Sequence, residues 1–177
     1  GAPIDLPWID RVPAVLDMFF PGMEGGTAMA DILFGDADPS GRLTFSWPER
    51  LEDSPVYELA TQDVDNVNYE DSLMVGYRYF DTFGVPVSYP FGYGQSYTTF
   101  NYSSLKVFMG DTDYSISCTI TNNGPVAGKE VVQLYISAPG KSMDKPAKEL
   151  RGFVKTQLLQ PGESREIIFK VKDTDLA

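Results

Sequence analysis

The sequence predicts a mixed fold: an α/β piece, then an aromatic-rich connector, then an antiparallel β-sandwich. Three observations predict it. Strand-like and helical patterns follow one another in residues 1–50, residues 51–100 keep no sustained period, and apolar–polar alternation with turn residues fills residues 101–177. The 177 residues suffice for a hydrophobic core and are too few for a catalytic (β/α)₈ barrel.

The first 50 residues have the pattern of a βαβ unit. Residues 14–20 form a short apolar run that suits a buried strand. Residues 24–34 carry apolar pairs at i, i+4 spacing and are followed by Gly35, which predicts a short helix. Residues 43–47 predict a second strand. The sheet of such a unit needs neighbouring strands, so we expect this piece to be the remnant of a larger α/β sandwich.

The connector, residues 51–100, is rich in acids, prolines, glycines and tyrosines. Fifty residues without regular structure are unusual inside one compact domain, which favours a strap between two domains. Its aromatic side chains either anchor it to protein surfaces or stack on sugar rings, and anchoring is favoured.

The last part alternates in the manner of half-buried strands. Tyr114, Ile116, Cys118 and Ile120 alternate with serines and threonines, and residues 131–136 and 166–172 follow the same rule. About five strands are predicted, whereas an immunoglobulin-like sandwich has about seven. The sandwich is therefore expected to be incomplete, without one or two closing strands.

Composition excludes several classes of function. The 25 acidic and 14 basic residues give a net charge of −11, which repels nucleic acid and anionic membranes. The chain has no histidine and one cysteine, so a disulfide framework, a zinc site or a histidine-based triad would need a partner chain. We expect neither a metal nor a cofactor.

Two turns resemble ligand loops. Residues 36–41 place oxygen side chains as an EF-hand loop begins, but Trp47 stands where that loop needs a glutamate, so an Asx/Pro turn is favoured. Residues 22–26 precede the predicted helix and offer backbone N–H groups to an anion. They lack the glycine spacing of a dinucleotide site and the lysine of a P-loop, which favours close packing and capping.

Two-carboxylate glycosidase chemistry needs one protonated and one ionised acid about 5–10 Å apart. The candidates lie near aromatic or apolar residues: Asp5, Asp10, Glu24, Glu70 and Asp71. Spacing along the chain does not bring any two of them together. For Glu70, capping of a loop or pairing with Arg78 is favoured over catalysis.

Several blocks, in order, resemble glycoside hydrolase family 3. The blocks are residues 1–8 (GAPIDLPW), 20–35 (FPGMEGGTAMADILFG), 39–43 (PSGRL), 75–81 (VGYRYFD), 89–100 (YPFGYGQSYTTF), 121–124 (TNNG), 128–135 (GKEVVQLY) and 149–155 (ELRGFVK). The resemblance identifies residues 1–50 as the end of an α/β-sandwich domain, 51–100 as a strap and 101–177 as a fibronectin type III-like domain. Asp71 and Gln95 depart from the family's usual glycine and leucine.

The resemblance implies a retaining exo-glycosidase that releases terminal β-linked sugars, most often glucose, without a cofactor. In the family, the aspartate nucleophile lies on a barrel and the acid/base glutamate lies upstream of the region that this chain matches. No catalytic, cofactor-binding or metal-binding residue is therefore carried over to this chain. We expect the segment to be inactive alone and to support the active-site domains of an enzyme that takes β-linked oligosaccharides or glycosides.

The alternative is a free-standing fibronectin-like module that binds carbohydrate or protein through the aromatics of residues 89–97. The βαβ remnant decides against it, since a free-standing β module would not need one.

Overall fold

The computed structural model describes residues 3–58, 72–139 and 144–176. They form two compact units. The first takes in the described residues of Gly1–Ala30, Leu43–Tyr93 and Pro139–Lys148, and the second those of Asp31–Arg42, Gly94–Ala138 and Glu149–Ala177. No helix in the described ranges has the length and apolar character to span a bilayer. The predicted boundaries at residues 50 and 100 stay predictions.

The helix predicted for residues 24–34 is confirmed as α1, Gly25–Phe34. Its end agrees with the sequence, because Gly35 has φ +82°, a left-handed conformation that favours glycine. The first unit also holds 3₁₀ turns at Ile9–Arg11 and Leu51–Asp53.

The strand predicted for residues 14–20 is wrong, because the structure gives this segment no strand pairing. An apolar run becomes a strand only where a neighbour accepts its backbone hydrogen bonds, and the described part of the chain provides no such neighbour. The segment lies mostly exposed.

The strand predicted for residues 43–47 is shorter, shifted and differently paired. Strand β1, Trp47–Pro48, pairs antiparallel with β2, Val87–Tyr89, in the predicted connector. Leu43 exchanges two backbone hydrogen bonds of 2.8 Å with the 92–93 turn, which extends the pairing. The parallel βαβ arrangement is thus not formed within the described residues, while the mixed fold class with antiparallel sheets is confirmed.

The connector contains a helix that the sequence did not predict, α2, Tyr77–Phe83. Four of its seven residues are aromatic, a composition that favours strands, so propensity gave no helical signal. Contacts within the first unit hold it: Lys148 lies 3.1 Å from Asp81, and Thr82 Oγ1 accepts the Ala147 N–H.

The second unit is the predicted β-sandwich. One sheet has the order β3–β4–β7, formed by Phe100–Met109, Asp113–Asn122 and Ser164–Lys172, and all its pairings are antiparallel. The other pairs β5, Val131–Ile136, with β6, Glu149–Lys155. The five strands in the described part of this unit agree with the predicted number.

The core lies between the two sheets and follows the predicted alternation. Its buried members come from both sheets and the loop between β6 and β7: Ile116, Ile120, Val132, Leu159, Ile167, Phe169 and Val171. The sheets approach closely at one point, since a Cβ added to Gly152 of β6 would lie 3.0 Å from the Phe169 ring on β7. β6 therefore lies over β7.

Candidate functional site

The candidate carboxylates of the first unit lie on exposed positions. Asp5 Oδ1 accepts the Leu51 N–H (3.3 Å), Asp10 lies in the first 3₁₀ turn, and the Thr27 hydroxyl lies 3.5 Å from Glu24 Oε2. No hydrogen bond joins any two of these three carboxylates in the described ranges. A glycosidase acid sits instead in a pocket that excludes water.

The other two candidates, Glu70 and Asp71, lie outside the described residues. That the chain carries no catalytic, cofactor or metal residue stays a prediction.

The turn that begins like a calcium loop is bound to protein instead. Asp38 Oδ1 accepts hydrogen bonds from Ser96 Oγ (2.8 Å) and from the Tyr97 N–H (2.7 Å). Asp38 Oδ2 is buried beside Gly128 and has no hydrogen-bond partner among the described residues. No group of three or more metal-ligating side chains occurs in the part of the chain that the structure describes. The carboxylate therefore ties residues 31–42 to the segment that leads into β3.

Asn122, the last residue of β4, is a fully buried polar side chain with four hydrogen bonds. Its Nδ2 donates to the carbonyls of Val126 and Leu159, both at 2.8 Å. Its Oδ1 accepts from Thr98 Oγ1 at 2.6 Å and from the Gly124 N–H at 3.1 Å. Both amide protons and both lone pairs of the carbonyl oxygen are therefore used, which makes Asn122 a structural junction of the sandwich.

A buried ion pair lies nearby in the second unit. Arg42 Nη2 is 2.8 Å from Glu130 Oε2, with both side chains largely buried. The Tyr102 hydroxyl donates to Glu130 Oε1 at 3.2 Å. Burial, and then the negative charge of Glu130, raise the pKa of the Tyr102 phenol well above its usual range. The group joins residues 31–42 to β3 and to the start of β5.

Of the glycines in residues 22–26, Gly25 packs closely against the preceding turn, as favoured from the sequence, whereas Gly22 and Gly26 have open space at the Cβ position. A Cβ on Gly25 would lie 2.6 Å from Pro21 Cβ, so only glycine fits where the helix begins. The chain enters this turn through Phe19, whose φ of +47° is unusual for a bulky residue. The Asp17 carboxylate accepts the Phe19 N–H (2.8 Å), and the Phe19 ring packs edge-on against Phe45.

The connector aromatics of the first unit contact one another. Tyr77 stacks on Phe91 with ring centroids 4.8 Å apart, and Tyr89 lies 5.1 Å from Tyr93. These ring contacts lie within the connector itself, so the choice between anchoring to a protein surface and stacking on sugar rings stays a prediction.

The first unit exposes an apolar surface that we call the N-terminal apolar surface: Val15, Leu16, Phe19, Phe20 and Met23. Phe20 is 87% exposed and Met23 fully exposed. The five residues fall within positions 15–23 of the chain, and exposed apolar patches mark contact sites on soluble proteins.

Sequence reasoning missed these polar junctions for different reasons. Asn122 carried a signal, because it stands two residues after Ile120 on the core-facing side of β4 and is polar. The pairing of Arg42 with Glu130 left no signal in the sequence, since the two residues are 88 positions apart.

Comparisons with protein families match two regions in order. The profile of the glycosyl hydrolase family 3 C-terminal domain matches residues 1–97, and that of the fibronectin type III-like domain matches residues 130–177.

The curated proteins that resemble this chain include beta-glucosidases. Thermostable beta-glucosidase B of Acetivibrio thermocellus is 42% identical over 96% of this chain, and probable beta-glucosidase H of Aspergillus flavus is 43% identical over 93%. This chain spans 23% and 20% of their lengths.

Solved structures agree. Beta-glucosidase 3B from Thermotoga neapolitana, solved with glucose, superposes with a TM-score of 0.94 and 44% identity over 99% of this chain and 25% of its own. Beta-glucosidase from Kluyveromyces marxianus gives a TM-score of 0.93 and 38% identity over 99% of this chain and 21% of its own.

Proposed function

This chain belongs to glycosyl hydrolase family 3, as part of that family's C-terminal region, and from that premise we propose that it supports the active-site domains of a retaining exo-β-glycosidase. The substrate is a β-linked oligosaccharide or glycoside, most often a glucoside. The reacting carboxylates lie outside this chain, and the segment alone is inactive. The domain boundaries near residues 50 and 100 are part of the proposal.

The N-terminal apolar surface carries the proposal. Residues 14–20 have the sequence of a buried strand, yet Phe20 and Met23 stand almost entirely in solvent. Burying a fully exposed side chain of this kind contributes about 1.5–3 kcal/mol, and Phe20 and Met23 come close to that case, so the surface favours contact with further protein. The remaining domains of the same enzyme are the partner that fits, because the relatives are about four times longer than this chain.

The placement of the carboxylates supports the non-catalytic role. Asp5, Asp10 and Glu24 are exposed and no hydrogen bond joins any two of them. Hydrolysis needs one carboxylate to attack the anomeric carbon and one acid to protonate the leaving oxygen. The free-standing module is disfavoured by the same apolar surface, which such a module would have to leave in water.

The test is hydrolysis of an aryl β-glucoside by the 177-residue chain alone and by the chain coexpressed with the remaining domains of its enzyme. We expect turnover only from the combination. Turnover by the chain alone would contradict the placement of the carboxylates.

The surface itself is tested by Phe20→Asp, with Leu158→Asp as control because Leu158 is an exposed apolar residue of the sandwich. Phe20→Asp should abolish recovery of activity in the coexpressed pair, and Leu158→Asp should leave it unchanged. Equal recovery with both variants would remove the surface from the proposal.

A further inference from the structure

The turn that follows β4 contains the only Asn–Gly pair of the sequence, Asn123–Gly124. The Asn123 side chain is exposed and has no hydrogen-bond partner among the residues that the structure describes. Gly124 has no Cβ beside its backbone nitrogen, so its own structure does not hinder approach to that nitrogen. The pair therefore places an unbound carboxamide next to an unhindered main-chain amide.

An Asn–Gly pair of this kind reacts with itself when the chain is free to move. The Gly124 nitrogen forms a bond to Asn123 Cγ, its proton leaves with the side-chain amino group as ammonia, and a five-membered succinimide ring results. Water then opens the ring at either carbonyl and gives aspartate or isoaspartate. The net reaction consumes water and releases ammonia, so it needs no other reactant, and it is one reason why asparagine is thermolabile.

The folded turn holds this peptide on both sides. The Gly124 N–H, which loses its proton in the reaction, donates to Asn122 Oδ1 at 3.1 Å. The Asn123 N–H donates to the Thr99 carbonyl at 3.0 Å. A Cβ at Gly124 would lie 2.5 Å from the Thr99 nitrogen and closer still to Thr98 Oγ1. The main chain of this glycine is therefore packed against residues 98–99 and has little room to rotate.

We infer that Asn123 is a site of spontaneous deamidation, and that the Asn122 carboxamide restrains the reaction by holding the Gly124 N–H. Attack requires the Gly124 nitrogen to leave Asn122 and turn toward Asn123 Cγ, so the reaction runs through local opening of the turn. The holding group is itself fixed, because Asn122 is fully buried and its Nδ2 donates to the carbonyls of Val126 and Leu159 at 2.8 Å. The same burial protects Asn122 from deamidation.

The product no longer fits the closed turn. Isoaspartate adds an extra carbon to the main chain between positions 123 and 124, where Gly124 packs against Thr98 and Thr99. Aspartate adds a negative charge to a chain that already carries −11. Opening leads to modification and isoaspartate opposes reclosing, so the reaction sets a chemical limit on how long the sandwich keeps its native turn.

The site is tested by incubating the 177-residue chain at mildly alkaline pH, once under native conditions and once in urea that unfolds it. Deamidation is located by peptide mass spectrometry, and isoaspartate is measured with an isoaspartyl methyltransferase. Asn123 should be the first asparagine to react in the unfolded chain, and it should react at least about tenfold more slowly in the folded chain. Earlier reaction of another asparagine in urea would overturn the site, and equal rates in the folded and unfolded chains would overturn the restraint.

The role of Asn122 is tested by Asn122→Ala, with Gly128→Ala as a destabilised control. Asn122→Ala removes the acceptor of the Gly124 N–H. Gly128→Ala keeps that acceptor and overpacks the same region, because its Cβ would lie 2.7 Å from Thr98 Cγ2. At urea concentrations that give the two variants equal free energies of unfolding, Asn122→Ala should deamidate at Asn123 at least about threefold faster. Equal rates would overturn the role assigned to the carboxamide.

Hydrogen exchange at the Gly124 amide of the unsubstituted chain keeps the inference testable should Asn122→Ala not fold. This amide should be protected, and exchange as fast as in the unfolded chain would overturn the restraint by Asn122. None of these readouts depends on glycosidase activity, so their failure is distinct from failure of the proposed function.

Discussion

Replacing Asn122 by alanine should unfold the sandwich at clearly lower urea concentration. The side chain is fully buried and bonds four groups: the carbonyls of Val126 and Leu159, the Thr98 hydroxyl and the Gly124 N–H. Alanine leaves all four without this partner.

The loss of unfolding free energy depends on which of the four groups can bond to water once the Asn122 side chain is removed. Leu159 and Thr98 are buried, so each unpaired group costs about 1–3 kcal/mol. Val126 and Gly124 lie on partly exposed loop positions, where water replaces the lost bond at little cost. The free energy of unfolding should therefore fall by about 2–6 kcal/mol, which is a large effect for one substitution.

The assay is equilibrium urea unfolding, with Asn123→Ala as the matched control. Asn123 is exposed, and its backbone N–H donates a hydrogen bond to the Thr99 carbonyl, which alanine keeps. The control should change the free energy of unfolding by less than about 0.5 kcal/mol. If Asn122→Ala costs no more than its neighbour, the hydrogen-bond account of this junction is refuted.

Two further predictions concern packing and pH. Gly128→Ala should destabilise by about 1–3 kcal/mol in urea unfolding, because its Cβ would lie 2.7 Å from Thr98 Cγ2 and 2.8 Å from Asp38 Oδ2. Gly26→Ala, in α1 with nothing within 4 Å, should instead stabilise by about 0.5–1 kcal/mol, and equal effects at both sites would contradict the packing argument. Because the pKa of Tyr102 is raised in the folded protein, its contribution to stability is present below the unfolded pKa near 10 and is lost as pH rises above it. Tyr102→Phe should therefore weaken the fall in urea midpoint between pH 9 and pH 11, and an unchanged fall would exclude this phenol as a source of it.

The sequence was most informative where one pattern decides the structure. In β7 Ile167, Phe169 and Val171 occupy every second position and are buried as predicted, whereas Ile168 between them is 55% exposed. A period of two puts them on one face whatever lies opposite. The helix α1 is local in the same sense, since its i, i+4 pairs and its terminal glycine lie within one short segment.

The predictions failed where residues distant in sequence determine the local structure. Residues 14–20 have the composition of a strand but not its neighbours, and α2 is held by contacts with Lys148 and Ala147 rather than by propensity. The hydrogen bonds of Asp38 and Asn122 join segments far apart in sequence, and a single sequence does not show which distant residues will meet. About the site, the residue types and the resemblance predicted only that this chain carries no catalytic, cofactor-binding or metal-binding residue.

The ion pair between Arg42 and Glu130 also bears on how the protein is made. Its two partners are separated by 88 positions. At a synthesis rate of roughly 5–20 residues per second, Glu130 follows Arg42 into the growing chain after about 4–18 s. Strands β5, β6 and β7 all follow residue 130, so residues 31–42 are synthesised several seconds before most of the sandwich to which they belong exists.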